Sequence, residues 1–247
     1  MKSVKFERIY QVRADEVGPD KRMKVPSIIK LMQEGSMQNS LDHQFSVWDL
    51  EKERISWVLL RKKLNITSYP TLSQEVKLVT YPIMTEKVLA SRDFKIYDLE
   101  DNLLAYASSV WTLINLDTRR LQRIPERFRA LIAPEDENLL ESPPSKILKP
   151  ETENFKKEFT ASWYDTDWNE HVNNIFFVKS IIESTPHEVL KTKSIKELTY
   201  HIRAESMLGD RLIVKGEIKD DQSIYSMSRA NDEKAVAYAD IVWEDRV

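Results

Sequence analysis

The sequence predicts an α+β protein built twice over, each half a long helix wrapped by an antiparallel β-sheet. Three observations carry this. First, Ala105-Tyr106-Ala107-Ser108-Ser109-Val110-Trp111 recurs as Ala237-Tyr238-Ala239-Asp240-Ile241-Val242-Trp243, with five of seven positions matched. Second, each half has one segment of helical apolar period with a wide apolar face. Third, segments of strand-like alternation follow each of those helices.

The elements come in the same order in both halves. The opening strands fall around Lys5–Val12 and Phe155–Trp163. In the first helix Val25, Ile28, Ile29 and Met32 fit i, i+3, i+4, i+7, and Pro26 suits a first turn, where its missing N–H is not needed. In the second, Ile175, Val178, Ile181 and Ile182 repeat the pattern, widened by Phe176 and Phe177. Strand segments follow at Ile55–Leu59, Glu75–Val79 and Asp93–Tyr97, then at Leu212–Ile218 and Ser223–Met227. A gap-free register of 149 joins the starts of the halves: Phe6 meets Phe155, Tyr10 meets Phe159, Ile28-Ile29 meets Phe177-Val178, and Glu34 meets Glu183. Toward the ends the offset shrinks to 132, as shorter loops in the second copy require. Between the halves lies a proline-rich, acidic stretch. It holds Pro134, Pro143, Pro144 and Pro150, with Glu135-Asp136-Glu137 and Glu141. Proline removes backbone donors and acidic runs resist burial, so this reads as a linker. The expected organisation is a first half over residues 1–130, a linker over 131–153 and a second half over 154–247.

Composition excludes several function classes. Cysteine is absent, which removes disulfides, thiolate metal sites, Fe–S clusters and a cysteine nucleophile. The four glycines, Gly18, Gly35, Gly209 and Gly216, are too scattered for a phosphate loop or dinucleotide fingerprint. A net charge of −3 gives no global basic field, so no nucleic-acid partner is expected. No apolar run reaches the ~18 residues of a membrane helix, and Met1–Arg8 has none for a signal peptide. The expectation is a cytoplasmic protein without membrane insertion, cofactor or metal. His187-Glu188-Val189-Leu190-Lys191 lacks the second His of a zinc-protease motif.

One polar cluster exceeds structural need. Trp163-Tyr164-Asp165-Thr166-Asp167-Trp168-Asn169-Glu170-His171-Val172-Asn173-Asn174 bridges the second opening strand and the second helix. A helix start offers unpaired N–H groups and a partial positive charge. One Asp or Asn suffices to cap it, yet five Asp, Asn and His residues lie within positions 167–174. Asp167, Asn169 and His171 stand at i, i+2, i+4. At offset 149 they face Gly18, Asp20 and Arg22, so the first half lacks the Asn and His. One active site per chain follows, in the second half, with the first half reshaped for binding. Met23, Met32 and Met37 in the first half are either a flexible apolar pocket or ordinary core.

Asp-x-Asn-x-His-Val-Asn-Asn before an apolar helix resembles the acyl-acyl-carrier-protein thioesterases of fatty acid synthesis, which are tandem hotdog proteins. The likeness extends to Asp20-Lys21-Arg22 with Leu31-Met32-Gln33-Glu34, to Ala107–Trp111 with Thr118–Leu121 and Ile124-Pro125-Glu126, and to Tyr200-His201-Ile202-Arg203-Ala204-Glu205-Ser206. The resemblance implies a double hotdog with an acyl-binding first half and a catalytic second half. It implies hydrolysis of the thioester of fatty acyl-acyl carrier protein, ending chain elongation, with the phosphopantetheine-bearing carrier as partner. It implies catalytic roles for Asp167, Asn169, His171 and Glu205, the last on a second-half strand. Plant members place Cys after that Glu; here it is Ser206. That departure favours water as the nucleophile, with Glu205 as base and His171 orienting or protonating. Asn169 would donate to the carbonyl, Asp167 would hold the turn, and the amides near Val172 and Asn173 would complete an oxyanion hole. Other readings are an acyl-CoA thioesterase and a non-enzymatic acyl-binding module. A homodimer is left open, since a fused pair already supplies its own pseudo-dimer. Arg119–Arg129 carries five arginines and is either a solvated connection or a dock for an acidic carrier.

Overall fold

The computed structural model describes residues 4–129, 131 and 140–246. Two compact units divide between Pro143 and Pro144. The first contains strand β1 (Phe6–Gln11), helix α1 (Val25–Asp42), short helix α2 (Val47–Glu51), strands β2 (Ile55–Ile66), β3 (Glu75–Thr85), β4 (Ala90–Tyr97), β5 (Leu103–Asn115) and β6 (Leu121–Gln122), and the turn-length helix α3 (Glu126–Arg129). The second contains β7 (Phe155–Thr160), α4 (Asn174–Ser184), α5 (His187–Thr192), β8 (Lys193–Ile202), β9 (Arg211–Lys219), β10 (Gln222–Arg229) and β11 (Ala235–Asp245). Within the first unit the strand order is β1-β3-β4-β5-β2, with β6 pairing β5; within the second it is β8-β11-β10-β9-β7. Every strand pair described is antiparallel.

The matched Ala-Tyr-Ala…Val-Trp segments lie on β5 and β11, each flanked on both sides by partners. Small residues there let a helix approach. In α1, Ile28, Ile29 and Met32 are fully buried, and Pro26 sits in the first turn. A side chain at Gly35 would collide with Leu78 of β3, so glycine sets the helix close to the sheet. In α4, Phe176, Phe177, Val178 and Ile181 are buried. Full burial of such side chains stabilises by about 1.5–3 kcal/mol each. In the second unit Gly216 of β9 leaves room for the Phe155 ring, which meets Tyr225 edge-on at 5.8 Å. Met23 and Met32 belong to this packing as core residues.

The inner, helix-facing surface of the first sheet forms three cross-strand rows. Ile66, Ala105, Ile96 and Leu78 make the first; Leu64, Ala107, Phe94 and Thr80 the second; Lys62, Ser109, Arg92 and Pro82 the third. In the second sheet the matching rows are Ile202, Ala237, Met227 and Val214, then Tyr200, Ala239, Tyr225 and Gly216, then Leu198, Ile241, Ser223 and Ile218.

The stretch read as a linker is held at both ends. Leu140 N donates to Asp93 Oδ2 (2.8 Å), and Pro143 O accepts from Arg61 Nε (3.1 Å), both within the first unit. Glu151 N donates to Glu217 Oε2 (2.8 Å), and Asn154 Oδ1 accepts from Ile218 N (2.7 Å), both within the second. Pro134 and Glu135-Asp136-Glu137 lie outside the described residues. Two boundaries differ from the sequence reading. The strand opening the second unit stops at Thr160, and Trp163–Asp165 forms a 3-10 turn, closed where Ser162 N donates to Asp165 Oδ2 (2.9 Å). Strand β8 ends at Ile202, so Glu205 lies beyond it, on the extended segment leading to β9.

Candidate active site

Asp167, Asn169 and His171 sit on a tight loop between the 3-10 turn and α4. Asp167 N donates to His171 O (2.8 Å), Glu170 N donates to Asp167 O (3.0 Å), and Asp167 Oδ1 accepts from Asn169 N (2.8 Å). Glu170 takes a left-handed conformation (φ 62°) to close it. Asp167 is therefore committed to holding the loop. The Asn169 carboxamide has no hydrogen-bond partner among the described residues. Asn173 caps α4: its Oδ1 accepts from Phe176 N (2.9 Å), and its Nδ2 donates to Asp165 O (2.9 Å).

The loop lies beside the Glu205 segment. His171 and Met207 form an antiparallel bridge, and Val172 N donates to Ser206 O (2.8 Å). This brings His171 Nε2 to 3.7 Å from Glu205 Oε2. The His171 side chain is 22% exposed and that of Glu205 40%, so the pair opens to solvent from a partly shielded position. Arg229 Nη1 donates to Glu205 O (3.1 Å), fixing the backbone there. Ser206 is fully buried, and its Oγ finds no hydrogen-bond partner among the described residues. An imidazole and a carboxylate 3.7 Å apart are too far for a direct hydrogen bond and suitably spaced to share a small polar molecule.

The geometry corrects one expectation. The amides of Val172 and Asn173 are not available as oxyanion donors, because they donate to Ser206 O and Asp165 O (2.9 Å). The Val172 amide knits the loop to the Glu205 segment, and the Asn173 amide ties the helix start back to the 3-10 turn. The expected residues Asp167, Asn169 and His171 share this loop, which is bridged to the segment carrying Glu205, with Asp167 supporting the loop and the His171 and Glu205 side chains partly exposed. Sequence reasoning passed over the rim: Trp163 (71% exposed) and Tyr164 (94%) stand on the 3-10 turn, and Met207 and Leu208 are also exposed. Ala161 O accepts from Gly209 N (2.9 Å), which ties these two turns together. Their type was legible, but their exposure depends on the turn. No group of three or more candidate metal ligands occurs among the described residues.

The first unit repeats the loop's backbone bonds, without the Asp167 side-chain bond, which Gly18 cannot make. Gly18 N donates to Arg22 O (2.8 Å), Lys21 has φ 62°, Met23 N donates to Pro70 O (2.7 Å), and Lys24 N donates to Glu16 O (2.9 Å). Arg22 bridges Thr71 as His171 bridges Met207. The His171–Glu205 pair thus corresponds to Arg22–Tyr69, where the guanidinium carbon lies 5.9 Å from the ring centroid. Of the arginine-rich segment, Arg119, Arg120 and Arg123 are exposed, and Arg127 is salt-bridged to Glu53.

A duplicated helix-wrapping sheet with an acid–imidazole pair in one copy defines a double hotdog with one candidate hydrolytic centre. Residues 3–132 match the acyl-ACP thioesterase N-terminal domain and residues 148–245 the acyl-ACP thioesterase C-terminal domain, so the chain belongs to the acyl-ACP thioesterase family. Its relatives include a chloroplastic palmitoyl-acyl carrier protein thioesterase of Cuphea hookeriana, 30% identical over 216 residues, covering 81% of this chain and 51% of that protein. A chloroplastic oleoyl-acyl carrier protein thioesterase of Coriandrum sativum is 28% identical, covering 94% and 68%. The chain spans about half the length of several of the curated relatives it matches. Among solved structures, an acyl-ACP thioesterase from Bacteroides thetaiotaomicron superposes with a TM-score of 0.89 at 22% identity, covering 98% of both chains. The 12:0-ACP thioesterase from Umbellularia californica superposes with a TM-score of 0.86 at 22% identity, covering 100% of this chain and 99% of that one. These superpositions establish the double hotdog fold.

Proposed function

We propose that this chain hydrolyses the thioester of fatty acyl-acyl carrier protein, releasing free fatty acid and ending chain elongation in fatty acid biosynthesis. The cytoplasm is the setting this reading implies. The single observation that carries it is the partly shielded His171–Glu205 pair on two interlocked turns, in a chain of this family.

In this reading a water sits beside the Glu205–His171 pair, within hydrogen-bonding reach of both. Glu205 takes a proton as the water oxygen attacks the thioester carbonyl carbon, and His171 orients that water. The Asn169 carboxamide donates to the developing oxyanion, in place of the amides already committed elsewhere. When the tetrahedral intermediate collapses, the C–S bond breaks and the proton on Glu205 passes to the leaving thiolate. The products are a fatty acid and the carrier's free phosphopantetheine thiol. Asp167 keeps Asn169 and His171 in register, and the first unit houses the acyl chain.

Steady-state rates on acyl-carrier and acyl-CoA thioesters of equal chain length test the proposal. The expected result is a higher kcat/KM for the carrier-bound substrates. Equal or better rates on acyl-CoA would reassign the substrate, and no hydrolysis of either would leave an acyl-binding module.

A further inference from the structure

We infer that the acyl chain taken up by the first unit carries an oxygen function on its alkyl part, a hydroxyl, keto or carboxylate group, held by Lys62 with Arg92. This rests on the reading that the first unit houses the acyl chain. The inner surface of its sheet is graded. Over four residues of β2, roughly 13 Å of strand, it passes from Ile66, through Leu64, to Lys62. The last row sets Lys62, Ser109 and Arg92 side by side on three neighbouring strands, and Asn39 of α1 closes over it through a hydrogen bond from Arg92 Nη2 (3.0 Å).

Lys62 is 2% exposed and Arg92 6%. Arg92 is served by neutral acceptors, Thr80 Oγ1 (3.2 Å) and Asn39 Oδ1. Lys62 Nζ lies 4.3 Å from the Phe94 ring centroid, and no described residue offers it a hydrogen-bond acceptor. Arg92, also positive, repels it. A buried amine with up to three donors and no acceptor opposes folding unless a bound group completes it. A saturated hydrocarbon cannot do so, whereas an oxygen on the chain can.

The fold does not require this row. The second unit has the same strands and register, and there the matching positions are Leu198, Ile241 and Ser223. The polar row is thus an addition to one copy, in the layer where a chain would lie.

The test is a set of acyl-carrier thioesters of equal chain length: plain, ω-hydroxy, ω-carboxy, mid-chain hydroxy and mid-chain keto. They are assayed with the wild type, Lys62→Met, and Lys62→Leu, the last being the residue the second unit carries at this position. A site built to hydrogen-bond an oxygen strongly rejects the analogue lacking it. The wild type is expected to prefer at least one oxygenated chain over the plain one by roughly tenfold or more in kcat/KM. That ratio should collapse in a folded Lys62 variant. No oxygenated preference in the wild type, or a preference that survives in both variants, overturns the inference. If the wild type hydrolyses none of the thioesters, the thioesterase reading has failed instead. Calorimetric binding of the corresponding free acids then decides: tighter binding of an oxygenated acid, lost with Lys62→Met, supports the inference, and equal binding overturns it.

Discussion

At the loop before the long helix, the first unit stacks Arg22 on Tyr69 while the second sets His171 opposite Glu205. The backbone bonds around the two loops are the same, down to the left-handed residue at Lys21 and at Glu170. In the layer between helix and sheet the asymmetry reverses. The first unit carries Lys62, Ser109 and Arg92 where the second carries Leu198, Ile241 and Ser223. The duplicated scaffold has therefore diverged twice, in different places. The acid–imidazole pair lies on the loops of one copy, and the buried polar row lies inside the other. The left-handed residue is common to both loops, so it belongs to the turn and not to the reaction.

The largest effect expected from this contrast is on rate. His171→Ala should lower turnover of acyl-carrier thioester by about 10²–10⁴-fold, with unchanged circular dichroism. Arg22→Ala, its counterpart, should change kcat only a few-fold. Matched losses at the two positions would mean that both loops serve catalysis.

A second contrast concerns pH and the buried row. Burial and the charge of Arg92 hold Lys62 down at about 7, whereas the unfolded lysine titrates near its ordinary value of 10.5. Between these values the unfolded chain binds one more proton than the folded one. Stability should accordingly rise with pH from about 7 to about 10 and be lost as pH falls through that window. Urea midpoints measured at pH 7 and at pH 9 should differ more in the wild type than in Lys62→Met. Leu198→Met in the second unit should leave the pH dependence as in the wild type. Equal slopes for wild type and Lys62→Met would place the amine in water.

These two contrasts were not equally legible in the sequence. The candidate loop stood out, because Asp167, Asn169 and His171 lie within five consecutive residues, a concentration no single helix cap needs. The duplication was legible through Ala-Tyr-Ala…Val-Trp, small and aromatic residues that a central strand under a helix demands. Lys62 was not. Arg61-Lys62-Lys63 reads as a solvated run, and only register decides which of the three turns inward. An irregularity between Leu59 and Arg61 shifts the pairing with β5 and changes the phase of the strand midway, so the apolar alternation starting at Ile55 points to the wrong face. The oxyanion role expected of Val172 and Asn173 failed for a related reason. Their amides look free at a helix start, but Ser206 O, from far along the chain, takes that of Val172, and Asp165 O, on the preceding turn, takes that of Asn173.

Helix capping gives a smaller difference. Asn173 caps α4 with its side chain, whereas Lys24 at the start of α1 makes no side-chain cap. Asn173→Ala should destabilise by about 1 kcal/mol, and Lys24→Ala by a few tenths, as read from thermal melts. The smallest effect is expected at Ser206, whose buried hydroxyl makes no hydrogen bond among the described residues. Ser206→Ala should hold or slightly raise stability and keep kcat within a few-fold, with no acyl-serine in mass spectra of the wild type during turnover. A deep loss of activity, or a trapped acyl-serine, would make Ser206 the nucleophile.

In the proposed reaction Glu205 takes a proton from water beside His171, and the decisive measurement is kcat of Glu205→Gln on an acyl-carrier thioester. Glutamine keeps the shape of the side chain and cannot accept that proton. The kcat is expected to fall by at least about 10²-fold, with KM within a few-fold of the wild type. A Glu205→Gln enzyme that turns over within a few-fold of the wild type would contradict it.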